Sequence, residues 1–218
     1  MANARFTIKQ EIFLEQHPEI LVESCNLGAI KSIFPAFLAS AKDNIVGMAS
    51  IQGRKKCITR FVLATTTRVL IIDQFSTQKN KDLLRKFLLD ATIIKSAFKM
   101  DKLAAALHLD LLLHVNNAKD LLSVAKSGRH SLEAFMAALG GEATLSKRAV
   151  ANIVQHEERA TIEPKAAALQ AWAACRACTI PFVACRLAAV VPISTASIDP
   201  RVGYSLASHS RFGGLKYY

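Results

Sequence analysis

The stretch from residue 45 to residue 73 constrains the fold more than any other part of the chain. It contains three short apolar runs, at 45–51, 57–64 and 68–73, which are rich in β-branched residues. The turn-like sequences GRKK and TTT separate them. Short apolar runs bounded by turn sequences predict consecutive antiparallel strands. The chain is therefore expected to form a sheet early in its sequence.

The order of the remaining elements indicates what covers this sheet. We predict strands at 20–24 and 92–95, and a strand or extended piece at 110–115. Helices are predicted at 26–41, where Pro35 should bend or divide the helix, and at 80–89 and 100–107. After Asn116 the pattern becomes helical, with helices at 119–125, 131–139, 145–155 and 165–187. Ser131 is placed to cap one of them, and Pro181 interrupts the last. The fold class is thus α/β, a mixed sheet flanked by helices with a helical C-terminal half.

The chain length of 218 residues fits one mid-sized domain. We divide it into an N-terminal extension at 1–19, a domain at 20–190 and an extended C-terminal arm at 191–218. The arm contains scattered Gly, Pro and Ser, and we expect it to be extended, without a hydrophobic core of its own. The N-terminus lacks an apolar signal-peptide core, and removal of an earlier presequence stays open.

Composition excludes several classes of protein. Hydrophobic residues make up 51% of the chain and charged residues 21%, which excludes wholesale disorder. The apolar runs are short or interrupted by Pro and Arg, so no transmembrane helix is expected. Five cysteines in a chain of this size favour a reducing compartment over a disulfide scaffold. Cys175, Cys178 and Cys185 lie in an Ala-rich stretch, which favours buried apolar roles over a zinc site. No cofactor or metal is expected.

The formal net charge is +11, and most of the excess lies in one segment. Residues 51–100 hold 11 basic and 3 acidic residues, a net charge of +8. Such a concentration favours a polyanionic partner such as RNA, and a solvated loop and helix face is the alternative. The candidate RNA-binding residues are Arg54, Lys55, Lys56, Arg60, Lys79, Lys81, Arg85, Lys86, Arg176, Arg211 and Lys216.

Several local sequences in a fixed order carry a resemblance to a known family. Val69-Leu70-Ile71-Ile72-Asp73 is followed by LLRKFLLDATIIK, which ends at Lys95, and by MDKLAAAL with Asp101. Val115-Asn116-Asn117, His130 to Phe135, Gly140-Gly141, Lys147 and the sequence WAACRA at 172–177 follow. This series resembles the ribonuclease D branch of the DEDD 3′–5′ exonucleases over about residues 20–190. The resemblance implies a ribonuclease H-like fold and, in active members, two Mg²⁺ ions held by four carboxylates.

The departures from the family pattern imply a lost active site. Met48 and Ser50 stand where the first motif has its two acids, and only Asp101 is kept. Trp172 replaces the family tyrosine, and Arg176 replaces the last aspartate. An arginine repels Mg²⁺, and could instead bind a phosphate or pair with Asp101. The resemblance therefore implies a degenerate exonuclease domain without hydrolytic activity.

Three functions follow as hypotheses. The first is a non-catalytic RNA-binding component of a large ribonucleoprotein, with a mitochondrial ribosome or an RNA-processing complex as the favoured setting and ribosomal or other structured RNA and neighbouring proteins as partners. The chain is then intracellular, in the mitochondrion rather than the cytoplasm. The second is a structural subunit of a protein-only organellar complex. The third is a surviving 3′–5′ exoribonuclease that uses Asp101 with Asp73 or Glu133.

Overall fold

The secondary structure comes from a computed structural model that describes residues 4–53, 57–73, 81–125, 131–158 and 163–195. Within these residues the strands are β1 (Ala4–Ile8), β2 (Ile20–Asn26), β3 (Ile45–Gln52), β4 (Ile58–Ala64), β5 (Arg68–Asp73), β6 (Ile94–Ala97) and β7 (Ala118–Asp120). The α-helices are α1 (Ile30–Leu38), α2 (Lys81–Leu89), α3 (Met100–Leu111), α4 (Leu132–Ala138), α5 (Lys147–Glu158), α6 (Pro164–Cys178) and α7 (Pro181–Ala188).

All seven strands form one mixed sheet in the order β1-β2-β5-β4-β3-β6-β7. Strand β4 is antiparallel to both β3 and β5, and β1 is antiparallel to β2. The other neighbouring pairs are parallel. The five strands β5-β4-β3-β6-β7 have the strand order and directions of a ribonuclease H-like sheet. The predicted fold class is therefore confirmed.

Helices cover both faces of the sheet, because alternate side chains of the central strands point to opposite sides. Val46 and Met48 of β3 belong to a core formed with α1, α2 and α3. Ala49 and Ile51 of the same strand belong to a second core, formed with α4, α5, α6 and α7. The result is three layers, with the C-terminal helices together on one face.

Several local predictions are confirmed. The three apolar runs form β3, β4 and β5, paired as an antiparallel meander. Ser131 caps α4, where its Oγ accepts a hydrogen bond from the backbone N–H of Ala134 at 3.1 Å. Pro181 divides the last predicted helix, because α6 ends at Cys178 and α7 begins at Pro181 itself. Helix α1 is shorter than the predicted helix at 26–41, because it spans Ile30–Leu38, and Pro35 lies inside it without dividing it.

The prediction for residues 110–125 is wrong. Helix α3 continues to Leu111, and the strand that follows it is β7, with a 3₁₀ turn at Leu121–Val124 in place of a helix. The sequence LDLLLHV is mostly apolar, and short apolar runs do not distinguish a helix from a strand. Asp120, rather than Asn116-Asn117, therefore ends this strand. Its carboxylate is buried and accepts hydrogen bonds from the N–H of Met100 and the hydroxyl of Ser123.

Both ends of the described chain contact the sheet. Strand β1 pairs with β2, and Ile12 and Phe13 enter the core beside α6. At the other edge of the sheet, Ile193 pairs with Ala118 of β7. The boundaries at residues 19 and 190 stay predictions, and residues 196–218 of the predicted arm lie outside the described residues.

Candidate functional site

The face of β3 that packs on α6 carries no acid. Gly47 lies against this helix so closely that an added Cβ would be 1.9 Å from the Ala171 carbonyl oxygen. Ala49 and Ile51 continue the same face and are buried. Met48 lies in the core on the opposite side of the sheet, and Ser50 is half-buried. The structure therefore does not bring Met48 together with Arg176, and the β3 residues on the α6 side are Gly47, Ala49 and Ile51.

Trp172 and Arg176, one turn apart on α6, both meet the N-terminal segment. The Trp172 indole is fully buried, and its N–H donates to the Thr66 carbonyl at 2.9 Å. Its ring makes edge contacts with Phe13 at 5.8 Å and with His17 at 5.4 Å between centroids. These N-terminal residues could not be predicted as part of the site, because nothing in a short stretch such as EIFLEQHPE shows which helix it will contact.

Arg176 makes its ion pair with Glu15 and not with Asp101. Its Nη2 lies 3.6 Å from a Glu15 carboxylate oxygen, and its Nη1 donates to the Thr179 hydroxyl at 2.6 Å. The guanidinium carbon is 6.0 Å from the centre of the Phe13 ring. Asp101 is exposed in the first turn of α3, a helix that packs on the other face of the sheet. The alternative in which Arg176 pairs with Asp101 is thus not the arrangement found.

His17 belongs to a cluster that also contains Phe13, Glu15, Trp172 and Arg176. Burial, and then the neighbouring Arg176 charge, lower the pKa of His17, whereas Glu15 raises it. The net direction is downward from an ordinary value near 6.5, so the imidazole is neutral at pH 7. Arg176 therefore supplies the positive charge of the cluster.

The other acids considered for catalysis are dispersed. Asp73 forms an ion pair with Arg60 at 2.6 Å and accepts a hydrogen bond from Ser24. Glu133 lies in the first turn of α4, on the opposite face of the sheet from α3 and Asp101. Across 4–53, 57–73, 81–125, 131–158 and 163–195, no three His, Cys, Asp or Glu side chains are grouped so that they could hold a metal ion.

Some of the candidate RNA-binding residues are paired or buried within the described part of the chain. Arg60 is paired with Asp73, and Arg85 with Asp82 at 2.6 Å. Lys81 is buried, whereas Lys86 is exposed on α2. The other candidates of this set lie outside the described residues, namely Arg54, Lys55, Lys56, Lys79, Arg211 and Lys216.

The cysteines of α6 behave as buried apolar side chains. The thiol of Cys175 donates to the Ile45 carbonyl at 3.6 Å, and that of Cys178 to the Ala174 carbonyl at 3.3 Å. Burial raises the pKa of Cys175 to about 12 and that of Cys178 to about 11. Both thiols are therefore protonated at neutral pH, while Cys185 is exposed on α7.

No single helix in the described part of the chain is long and apolar enough to cross a membrane. Helices α6 and α7 reach the required length and hydropathy only when taken together, and they meet at an angle of 82°. Most of α6 is buried against the sheet.

Comparison with known proteins gives a likeness of fold. No family model matches this chain, and no curated protein sequence is similar to it. Among solved structures, the EXD2 exonuclease domain soaked in Mn has a TM-score of 0.41 and 16% identity, over 54% of this chain and 67% of that one. The same domain soaked in Mg has a TM-score of 0.42 and 16% identity, over 63% and 83%. The Mn and dGMP form has a TM-score of 0.43 and 16% identity, over 63% and 84%. The fold assignment rests on the strand order and directions, and the chain is an α/β domain with a ribonuclease H-like sheet.

Proposed function

We propose that this chain is a non-catalytic, exonuclease-like domain that binds RNA as a structural part of a large ribonucleoprotein. The main support for the proposal is that the side of β3 facing α6 contains no acidic residue. Where hydrolysis by two metal ions needs carboxylates, the strand presents Gly47, Ala49 and Ile51 to α6, and Arg176 lies on that helix. Apolar packing of this kind leaves no ligands for Mg²⁺ on this strand face.

The net charge of +11 supports RNA as the partner. Binding to a phosphate backbone releases counterions, so the affinity should fall steeply as salt rises. A mitochondrial ribosome is the proposed setting, with ribosomal RNA and neighbouring proteins as partners. Cell fractionation tests the compartment independently of the function.

The test is sedimentation of the protein from its native source, with and without ribonuclease. We expect it to migrate with a ribosome-sized particle that ribonuclease disrupts. An assay on labelled RNA with Mg²⁺ or Mn²⁺ accompanies it, and no shortening of the RNA is expected. Metal-dependent shortening that is lost in Asp101→Ala would overturn the non-catalytic proposal.

A second candidate function, a subunit of a protein-only complex, is favoured by one surface. Phe182 is 51% exposed and Val191 is 81% exposed, and both are large apolar residues in or just after α7. Large apolar side chains exposed in one short stretch of chain are a candidate protein interface. Migration in a large complex that ribonuclease leaves intact would favour this function over RNA binding.

A further inference from the structure

A surface pocket of about 260 Å³ lies where the C-terminal end of α6 meets the N-terminal segment. Arg176 and Thr179 line one side of it, and Phe13, Glu15 and Thr144 line the other. The junction between α6 and α7 closes it. The pocket thus combines a cation, hydroxyl groups and an aromatic ring.

The guanidinium group of Arg176 is only partly used by the protein. Nη1 donates a hydrogen bond to Thr179. Nη2 has the Glu15 carboxylate at 3.6 Å, beyond hydrogen-bond distance, and Nε is buried without a hydrogen-bond partner among the described residues. Nε and Nη2 form one edge of the guanidinium, with two parallel donors that match two oxygens of a phosphate. This edge makes no hydrogen bond among the described residues and faces only the Glu15 carboxylate, and it is the edge that can bind an anion in a bidentate manner once Glu15 moves away.

The side chain of Glu15 makes only weak interactions with the rest of the pocket. Its side chain is 70% exposed, and its carboxylate oxygen lies 3.6 Å from Arg176 and 3.9 Å from the His17 Nε2. That Nε2 is also buried without a hydrogen-bond partner in the described part of the chain. An exposed ion pair at such distances contributes about 0–1 kcal/mol. An incoming anion with better geometry can therefore replace Glu15.

We propose that the Arg176 pocket binds a phosphate group of an RNA strand, and that Glu15 is the internal anion that the phosphate displaces. The proposal rests on the proposed RNA-binding function and assigns it a site. It also gives the two residues opposite effects. Removal of the Arg176 charge weakens RNA binding, and removal of the Glu15 charge strengthens it.

The experiment measures the affinity of the full chain for a short, fluorescently labelled RNA by anisotropy. Arg176→Gln should weaken binding by about tenfold, the low end for a charge-assisted hydrogen-bond pair. Arg176→Lys keeps the charge without the two-donor edge and should lose part of the affinity. Glu15→Gln should tighten binding by roughly two- to fivefold, as expected from release of an exposed ion pair. The matched control is Lys31→Gln, which removes one exposed charge from α1 on the opposite face of the sheet.

The outcomes separate the two proposals. If the wild-type chain binds RNA but Arg176→Gln and Arg176→Lys bind as well as Lys31→Gln, the pocket is not the site and only this inference fails. Weaker binding by Glu15→Gln also overturns it. If the wild-type chain binds no RNA at all, the proposed function fails with it. RNAs with and without a 3′-phosphate distinguish the source: a preference that Arg176→Gln abolishes assigns the pocket to a terminal phosphate, and equal binding that remains sensitive to Arg176 assigns it to an internal one.

Discussion

Gly47 and Lys95 each make a close contact with the backbone of another segment. Gly47 allows α6 to lie directly on β3, because an added Cβ would also lie 2.6 Å from the backbone nitrogen of Cys175. Lys95 is buried in β6, where its ammonium group donates to the carbonyls of Asp90 and Asn116. In both cases the partner is backbone, which cannot move aside like a side chain.

Substitution of Gly47 tests the first contact. Gly47→Ala forces the backbones of β3 and α6 apart and should lower the free energy of unfolding by about 1–3 kcal/mol, the usual cost of overpacking. Urea denaturation measures this. Gly53→Ala is the control, since its Cβ would meet only the Thr59 side chain, at 2.8 Å. Equal stability of the two variants would contradict the close approach of α6.

Lys95 should make the stability depend on pH. Burial lowers its pKa from 10.5 to about 8, against a smaller upward effect of Asp90. Between about pH 8 and pH 10.5 the unfolded chain therefore binds more protons than the folded chain, so the contribution of Lys95 to stability rises with pH. We expect the stability of the wild type, measured relative to Lys95→Met, to be greater at pH 9.5 than at pH 7. Taking this difference cancels the thiol titrations, and a difference that is flat or falls with pH would exclude the lowered pKa.

Among the elements, the strands of the meander could be predicted and the contact of the N-terminal segment could not. The runs that became β3, β4 and β5 are bounded by turn sequences, a signal contained within a few residues. The contact between Phe13 and Trp172 joins residues far apart in sequence, and no local pattern specifies it. For the candidate site, the sequence pointed to Trp172 and Arg176 through motif order. It could not supply Glu15 or His17, because these belong to no motif.

Two adjacent residues test how much the N-terminal segment contributes. Phe13→Ala removes a buried ring from the core beside α6 and should cost about 3–5 kcal/mol. It should also shift the emission of Trp172, the only tryptophan of the chain. Leu14→Ala is the control, since Leu14 is 67% exposed and its loss should change stability by less than about 0.5 kcal/mol. Similar losses from both variants would show that the segment is not anchored through Phe13.

At the scale of the whole molecule, folding neutralises or buries part of the charge that the sequence concentrates. Residues 51–100 carry a net charge of +8, yet Lys95 is buried and Arg68 forms an ion pair with the buried Glu23. Composition could predict an excess of positive charge but not its distribution, because pairing depends on which strands become neighbours. Arg68 of β5 can pair with Glu23 of β2 because these two strands are parallel neighbours in the sheet.

The thiols report the integrity of the whole fold. Cys57 and Cys185 are exposed, whereas Cys25, Cys175 and Cys178 are buried. Burial raises the pKa values of the three buried thiols to about 11, about 12 and about 11, and only the thiolate reacts. We expect two thiols to react rapidly with a disulfide reagent in the native protein and three only after unfolding. The double variant Cys57→Ser, Cys185→Ser should lose the rapid phase, and rapid reaction of further thiols would contradict the burial.

The contact of Phe13 with Trp172 also has a consequence for the growing polypeptide. A chain is made from its N-terminus, so the side chain of Phe13 leaves the ribosome about 160 residues before the helix surface that buries it. Until α6 has been made, this apolar ring and the face of β3 around Ala49 stay uncovered together. Contacts between residues this distant in sequence slow folding, so one face of the sheet is covered only after the last helices have been made. The early half of the molecule is thus expected to expose apolar surface during synthesis until the last helices are made.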